Sequence, residues 1–210
     1  MFFLLDDALR ATLAARLAAF PHAPDLPTGP ALKHAAVAIT LTEADDGSGE
    51  AAFLLTRRAA GLRAHGGQWA LPGGRCDPGE TAADAARREL AEELGLALPE
   101  GAVLGAVDDY PTRSGYRITP VVLWAGPSLR LRPNPAEVAS VHRVSLAAIA
   151  RADAVSFTSI PESHRRVVRL RIGDDHIHAP TAALLYQFAE LLHGRHTRVA
   201  ELEQPVFAWR

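Results

Sequence analysis

A fold of interleaved strands and helices, α/β in the broad sense, is predicted by three features of this sequence. Two strand-like runs, HAAVAITL (34–41) and AAFLLTR (51–57), flank the turn-rich segment EADDGSGE and read as a hairpin. A run of alanine, arginine, leucine and glutamate follows Thr81 and stops at Gly95, the composition and ending of a helix. A second amphipathic run, Thr181 to Leu192, puts Ala183, Leu184, Leu185, Phe188, Leu191 and Leu192 on an inner face and is closed by Gly194. With 210 residues, 48% of them hydrophobic, the chain can bury a full core, and one domain is the natural count.

Taken in order, residues 4–20 repeat Leu5, Leu9, Leu13, Leu17 and Phe20 at helical spacing, with Asp6 and Asp7 near the positive end of the helix dipole. This predicts an amphipathic helix packed on the domain or on a second subunit. Pro21, Pro24, Pro27 and Pro30 then make a linker, so residues 1–33 are read as an addition to a domain spanning 34–194. The apolar MFFLL start is followed at once by two acids and is too short for a signal core or a membrane span. After the hairpin, the loop RAAGLRAHGGQWALPGG leads to the first helix. Residues 101–126 alternate like two strands joined through Pro111 and Ser114-Gly115, with Tyr110, Arg113 and Tyr116 at the turn. Asn134 to Val138 precedes VHRVSLAAI, an extended segment entering a short helix. VVRLRI turns at Gly173-Asp174-Asp175 into HIH, which puts His176 and His178 on one side of a strand. No third ligand is evident there, so a solvent-facing or gating role is expected rather than a metal site. Residues 195–210 form a tail whose Val206, Phe207 and Trp209 are expected to dock on a neighbour.

The stretch from Gly74 to Leu96, GRCDPGETAADAARRELAEELGL, holds the chemistry. Asp77-Pro78-Gly79 is a turn, and Thr81 or Asp77 is placed to cap the helix. Ala82, Ala85, Ala86, Leu90 and Leu94 give a small apolar face suited to close approach to a sheet. Glu89 is a helix neighbour of both Glu92 and Glu93, so three carboxylates share one patch, at a cost of roughly 0.2–0.5 kcal/mol per like-charged pair. They also lie toward the negative end of the helix dipole. A positive partner is needed, and oxygen-only ligands suit hard cations such as Mg²⁺ or Mn²⁺, which leave positions open for substrate phosphates. Arg88 and Glu80, two helical turns apart, are expected to pair and hold the cluster in place. Taken alone, the string also describes a solvated acidic face with ordinary surface ion pairs.

The spacing narrows this. Gly74, five residues, Glu80, seven residues, Arg88-Glu89-Leu90, one residue, Glu92-Glu93, one residue, Gly95-Leu96 resembles the signature of the Nudix hydrolases at every fixed position. The resemblance implies a mixed β-sheet sandwiched between α-helices. It also implies a loop-helix-loop motif that binds Mg²⁺ or Mn²⁺ and cuts a diphosphate joined to another group. By that resemblance Gly74, Glu89, Glu92 and Glu93 are metal ligands, with Glu80 supporting them, and catalysis falls to Glu89, Glu92, Glu93 and Glu137. Glu89 or Glu137 would orient or deprotonate the attacking water.

Just upstream, Leu54-Leu55-Thr56, Arg58-Ala59, Arg63, Gly67 and Leu71-Pro72-Gly73-Gly74 are spaced like the additional signature of coenzyme A pyrophosphatases. Leu71 stands where that subfamily usually has Phe. Arg57, Arg58 and Arg63 are read as substrate-binding, since guanidinium groups suit bidentate phosphate contacts and coenzyme A carries a 3′-phosphate besides its diphosphate. The other reading is that these arginines solvate a long loop. Arg113 or Tyr116 touches substrate, or the hairpin is merely polar at its tip. Cys76 is read as structural and His65 as a loop residue.

The implied reaction splits coenzyme A or a derivative into 3′,5′-ADP and 4′-phosphopantetheine. The same chemistry on ADP-ribose, a dinucleotide or a damaged nucleoside triphosphate is the alternative, and a non-catalytic nucleotide-binding domain a further one. A net charge of −2 and no basic stripe interleaved with aromatics argue against nucleic acid and anionic membrane as partners. One cysteine excludes an internal disulfide and fits a reducing compartment, so a cytoplasmic protein is expected. A homodimer through the N-terminal helix and the tail is one expectation, and a monomer folding both onto itself the other.

Overall fold

The computed structural model describes residues 2–23, 32–62 and 65–205. Pro24, Pro27, Pro30, Arg63, Val206, Phe207 and Trp209 lie outside them. The elements run α1 (Asp7–Ala18), β1 (Lys33–Glu43), β2 (Ala51–Arg58), β3 (Trp69–Ala70), β4 (Gly73–Arg75) and α2 (Ala82–Leu94). After a 3₁₀ turn (Glu100–Ala102) come β5 (Val103–Ala106), β6 (Tyr110–Pro111), β7 (Tyr116–Gly126), β8 (Val138–Ser145) and α3 (Leu146–Ala150). The chain closes with β9 (Val155–Ile160), β10 (Ser163–Ile172), β11 (Asp175–His178) and α4 (Thr181–Leu192).

The main sheet is mixed. β1 runs parallel to β7 from Lys33↔Tyr116 to Leu41↔Trp124 and antiparallel to β2 at Leu41↔Phe53. Beyond that hairpin end, β1 and β2 part. β4 pairs with β1 at Ala35–Val37, while β3 pairs with β2 at Thr56 and Arg57. The chain therefore passes through the opening between the two central strands, and this is where the glycine-rich turn before α2 is lodged.

Alternation along the strands sorts the core into two layers, because successive side chains point to opposite faces. Ala36, Ala38, Leu54, Val121 and Leu123 meet Ala85, Ala86, Leu90 and Leu94 of α2. Ile39, Leu41, Phe53, Leu55 and Val122 meet Leu184, Leu185, Phe188, Leu191 and Leu192 of α4, together with Leu13, Leu17 and Phe20 of the N-terminal segment. Full burial of each Leu or Phe contributes about 1.5–3 kcal/mol. The sheet is thus covered by helices on both faces, as the predicted fold class requires.

The N-terminal helix packs on its own chain. Asp6 caps it, accepting from the Leu9 N–H at 2.8 Å, and Arg16 Nη1 donates to the Leu191 and Leu192 carbonyls at 3.1 and 2.6 Å, at the negative end of α4. Residues 195–205 return over the domain: Val199 is fully buried, and the Glu203 N–H bonds the Arg166 carbonyl at 2.8 Å.

Two expectations change in detail. Residues 101–126 supply three strands, not two, because the chain leaves the sheet after Ala106 and rejoins it at Tyr110. The segment Val155–Ile160 is a strand that pairs with β10 and completes a three-stranded antiparallel sheet with β11. No helix among the described residues is long and apolar enough to cross a membrane.

Candidate active site

Helix α2 begins where its chemistry dictates. Thr81 is the cap: its Oγ1 accepts the Asp84 N–H at 3.2 Å, and Asp77 instead donates its own N–H to Glu80 Oε2 at 2.8 Å. The helix stops at Gly95, whose φ of 66° is a left-handed conformation and whose missing Cβ would lie 2.8 Å from Arg132 Cβ.

Arg88 organises the acidic face. Its Nε and Nη2 grip the two oxygens of Glu80 at 2.9 and 3.1 Å, its Nη2 also bonds the Arg75 carbonyl at 3.1 Å, and its Nη1 bonds Glu89 at 2.8 Å and Glu92 at 3.1 Å. The Arg88 hydrogen bonds hold the Glu80 carboxyl below the ordinary range. The expected pairing of Arg88 with Glu80 is present, and it extends to two of the three clustered carboxylates.

The three carboxylates differ sharply in surroundings. Glu92 points outward, with its side chain 56% exposed. Glu93 is 3% exposed, turned toward the sheet, with the Gly73 backbone N–H on that side. Burial pushes its pKa up to about 7; Arg58, whose Nη1 lies 3.9 Å away, opposes the shift, and the charges of Glu89 and Glu137 add to it. Glu89 lies between these extremes, and burial again raises it.

Gly73 and Gly74 explain why the turn is built of glycine. A Cβ on Gly73 would fall 2.3 Å from the Ala36 carbonyl oxygen, and one on Gly74 would fall 2.3 Å from Glu89 Oε1. The space beside Gly74 is a cradle that any side chain would fill. Glu137 lies close enough to bear on Glu89 and Glu93 electrostatically. Its own segment is fixed to the end of α2, with the Asn134 N–H on the Glu93 carbonyl at 2.8 Å and Asn134 Nδ2 on Glu137 Oε1 at 3.1 Å. The structure therefore brings Gly74, Glu89, Glu92, Glu93, Glu137 and Arg58 to one place.

It does not bring Arg57 or Arg113 there. Arg57 and Arg58 are consecutive on β2, so one must face away when the other faces Glu93. Arg57 turns to Asp175 Oδ2 at 2.5 Å and to the Gly67 carbonyl at 2.9 Å, and stacks 4.3 Å from the centroid of Trp69. Arg113 is engaged by Glu203, with Nε and Nη2 bonding its two oxygens at 2.6 and 2.5 Å. These bonds lie at a separate cavity of about 440 Å³, lined by Tyr110, Arg113, Ser163, Arg165, Glu203 and Gln204 among others. Arg63 lies outside the described residues. Cys76 is buried in the α2 layer, and its thiol is raised by that burial. His65 is exposed with φ 58°. His178 is lowered mainly by burial.

Among the described residues no group of three His, Cys, Asp or Glu side chains stands as a preformed metal site. Arg88 spans Glu89 and Glu92, the position a cation would share. The residues nonetheless fit a hard divalent ion. The donors are oxygens only, one carboxylate is exposed and able to turn, and the cradle at Gly74 leaves room beside Glu89.

Sequence reasoning missed Asp175 and Glu203, the partners that claim Arg57 and Arg113. Strand alternation at Arg57-Arg58 was the available signal for the first; neither acid has a local signal, since 118 and 90 residues separate the pairs.

The NUDIX domain model matches residues 32–168. The chain is similar to an uncharacterized Nudix hydrolase NudL from Photorhabdus laumondii, 44% identical over 95 residues that cover 45% of this chain and 51% of the relative. It is also similar to the uncharacterized Nudix hydrolase NudL of Yersinia enterocolitica, 36% identical over 98 residues, 46% of this chain and 50% of the relative. The matches thus span about half the length of these curated relatives. Among solved structures it is similar to a Nudix hydrolase from M. smegmatis, RenU, with 30% identity, 56% and 73% coverage of the two chains and a TM-score of 0.43. The corresponding values for a C. elegans Ap4A hydrolase binary complex are 20%, 76%, 98% and 0.49.

Proposed function

This chain belongs to the Nudix family, and from that membership we propose that it is a divalent-cation-dependent diphosphatase acting on coenzyme A or its derivatives. The observation that carries the substrate reading is the upstream string Leu54-Leu55-Thr56, Arg58-Ala59, Arg63, Gly67, Leu71-Pro72-Gly73-Gly74. Its described ends supply Arg58 and the Gly73-Gly74 pair to the carboxylates of α2.

Glu89, Glu92, Glu93 and the Gly74 carbonyl would hold the cation, Mg²⁺ or Mn²⁺. When bound, it supplies neutralisation of the diphosphate oxygens and acidification of water. The chain does the rest. Arg88 keeps Glu80, Glu89 and Glu92 oriented through four charge-assisted bonds within 3.1 Å. Gly73 N–H and Arg58 orient Glu93 from the sheet side. Glu89, raised by burial, accepts the proton of the attacking water at a carboxylate oxygen. Glu137, tethered by Asn134, is the second carboxylate available for that role. A bond forms from the water oxygen to phosphorus, and the bridging phosphorus–oxygen bond breaks. The products are 4′-phosphopantetheine and 3′,5′-ADP. The reading belongs to a reducing, cytoplasmic setting, with Cys76 free and buried.

The test is a substrate panel with Mg²⁺ or Mn²⁺: coenzyme A, 3′-dephospho-coenzyme A, ADP-ribose and NADH, compared by kcat/KM. Preference for coenzyme A supports the reading. Preference for ADP-ribose or NADH moves the substrate to another nucleoside diphosphate derivative, and no cleavage of any of them leaves a binding domain.

A further inference from the structure

Asp175, the first residue of β11 in the three-stranded sheet, reaches across to the main sheet. Its Oδ2 accepts from Arg57 Nη2 at 2.5 Å and from Trp69 Nε1 at 3.0 Å. Arg57 and Trp69 are register partners across β2 and β3, the strands that open and close the 59–68 loop, and the guanidinium stacks on the indole. Backbone bonds Arg58 N–H to Gln68 O and Gly67 N–H to Arg58 O, both 3.0 Å, continue the same closure. From each strand the chain then delivers a group to Glu93. Arg58 follows Arg57 directly, and the Gly73 N–H follows Trp69 by a few residues, through Pro72, whose carbonyl takes the Ala38 N–H at 2.8 Å.

We infer that Asp175 is a positioning residue for the Glu93 site: by holding Arg57 and Trp69 together it fixes both ends of the loop, and so the register in which Arg58 and Gly73 meet Glu93. The inference rests on the reading that Glu93 serves a cation-dependent diphosphatase. Asp175 sits on the face of β2 opposite Glu93, so its effect runs through the strand pair. It also neutralises Arg57, which leaves Arg58 as the member of the arginine pair directed at Glu93. Both members of the Asp175–Arg57 pair are partly exposed, 48% and 37%, so the pair adds little to overall stability and its removal leaves the fold intact.

The experiment compares wild type, Asp175→Ala and Asp175→Asn in the full chain. Mn²⁺ affinity is measured by water-proton relaxation, kcat and KM on the diphosphate substrate, and the Trp69 indole N–H resonance by NMR, assigned with Trp69→Phe. The expected result for Asp175→Ala is a loss of roughly tenfold in Mn²⁺ affinity and in kcat, with a shifted indole resonance and an unchanged unfolding transition. Asp175→Asn, which keeps an acceptor oxygen, falls between. In an Arg58→Ala background the Asp175→Ala loss shrinks, because the route through Arg58 is gone and only the one through Gly73 is left. The inference is overturned if Asp175→Ala leaves Mn²⁺ affinity and kcat within about twofold of wild type, or if its loss persists undiminished without Arg58. A wild type that binds Mn²⁺ but cuts no diphosphate sinks the functional reading alone, and Mn²⁺ affinity still decides the role of Asp175. A wild type that binds no Mn²⁺ overturns both.

Discussion

Replacing Glu93 by Gln should make this protein more stable at alkaline pH while destroying the site. Glu93 is 3% exposed and its pKa is pushed from 4.5 up to about 7 by burial, against the opposing pull of Arg58. A carboxyl raised in the folded state binds its proton more tightly there than in the unfolded chain. Stability therefore falls as pH rises from the unfolded value of 4.5 to about 7 and is level above that. The difference corresponds to about 3 kcal/mol lost at about pH 8, and close to nothing at about pH 4 where both states are protonated. An amide cannot ionise, and its oxygen can still face the Gly73 N–H. Glu93→Gln should then exceed the wild type by about 3 kcal/mol at about pH 8 without divalent cation, and match it at about pH 4. Chemical denaturation in chelator across that range, followed by circular dichroism, reads the difference directly. Added Mg²⁺ or Mn²⁺ should restore stability to the wild type only, since a ligand that binds the folded state stabilises it by mass action. Parallel profiles for the two proteins, or a less stable variant at alkaline pH, would refute the claim that burial of an ionised Glu93 is a cost the bound cation offsets.

Three further outcomes follow from the same geometry. Gly74→Ala places a methyl 2.3 Å from Glu89 Oε1, so kcat should drop by roughly 100-fold while the unfolding transition remains cooperative. Arg113→Ala breaks a pair whose partner Glu203 is buried but whose own side chain is 44% exposed, so it should cost about 1–3 kcal/mol and leave KM unchanged. Glu203 is depressed to about 2, chiefly by Arg113, so its contribution is fully present above 4.5 and is lost as pH falls through about 2; acid denaturation of Arg113→Ala should lack that component.

Much of the α2 region was legible because its determinants are local. The caps at Thr81 and Gly95, the pairing of Arg88 with Glu80 and the shared patch of Glu89, Glu92 and Glu93 all lie within one helix and its flanking turns. The separate environments of those three glutamates were not legible, since they depend on how deeply α2 sits against β1 and β4. Only the packed structure makes Glu93 a buried group and Glu92 an exposed one. The arginines show the boundary best. Spacing grouped Arg57 with Arg58 as phosphate ligands, whereas strand geometry sends them to opposite faces. Arg113 looked available at a hairpin turn because its partner, Glu203, arrives from the far end of the chain. Likewise, the amphipathic pattern of α1 showed that it must bury a face, and tertiary packing set that face against its own chain, beside α4.

The central claim is that the carboxylates of α2 serve the cleavage of a diphosphate. The most direct measurement is chromatographic product analysis of coenzyme A incubated with wild type and with Glu92→Gln, each with Mg²⁺ or Mn²⁺ and with chelator. Glu92 is chosen because it is exposed and its loss leaves the core untouched. The account predicts 3′,5′-ADP and 4′-phosphopantetheine from the wild type with divalent cation, and neither product with chelator or from the variant. Undiminished cleavage by Glu92→Gln, or cleavage that survives the chelator, would contradict it.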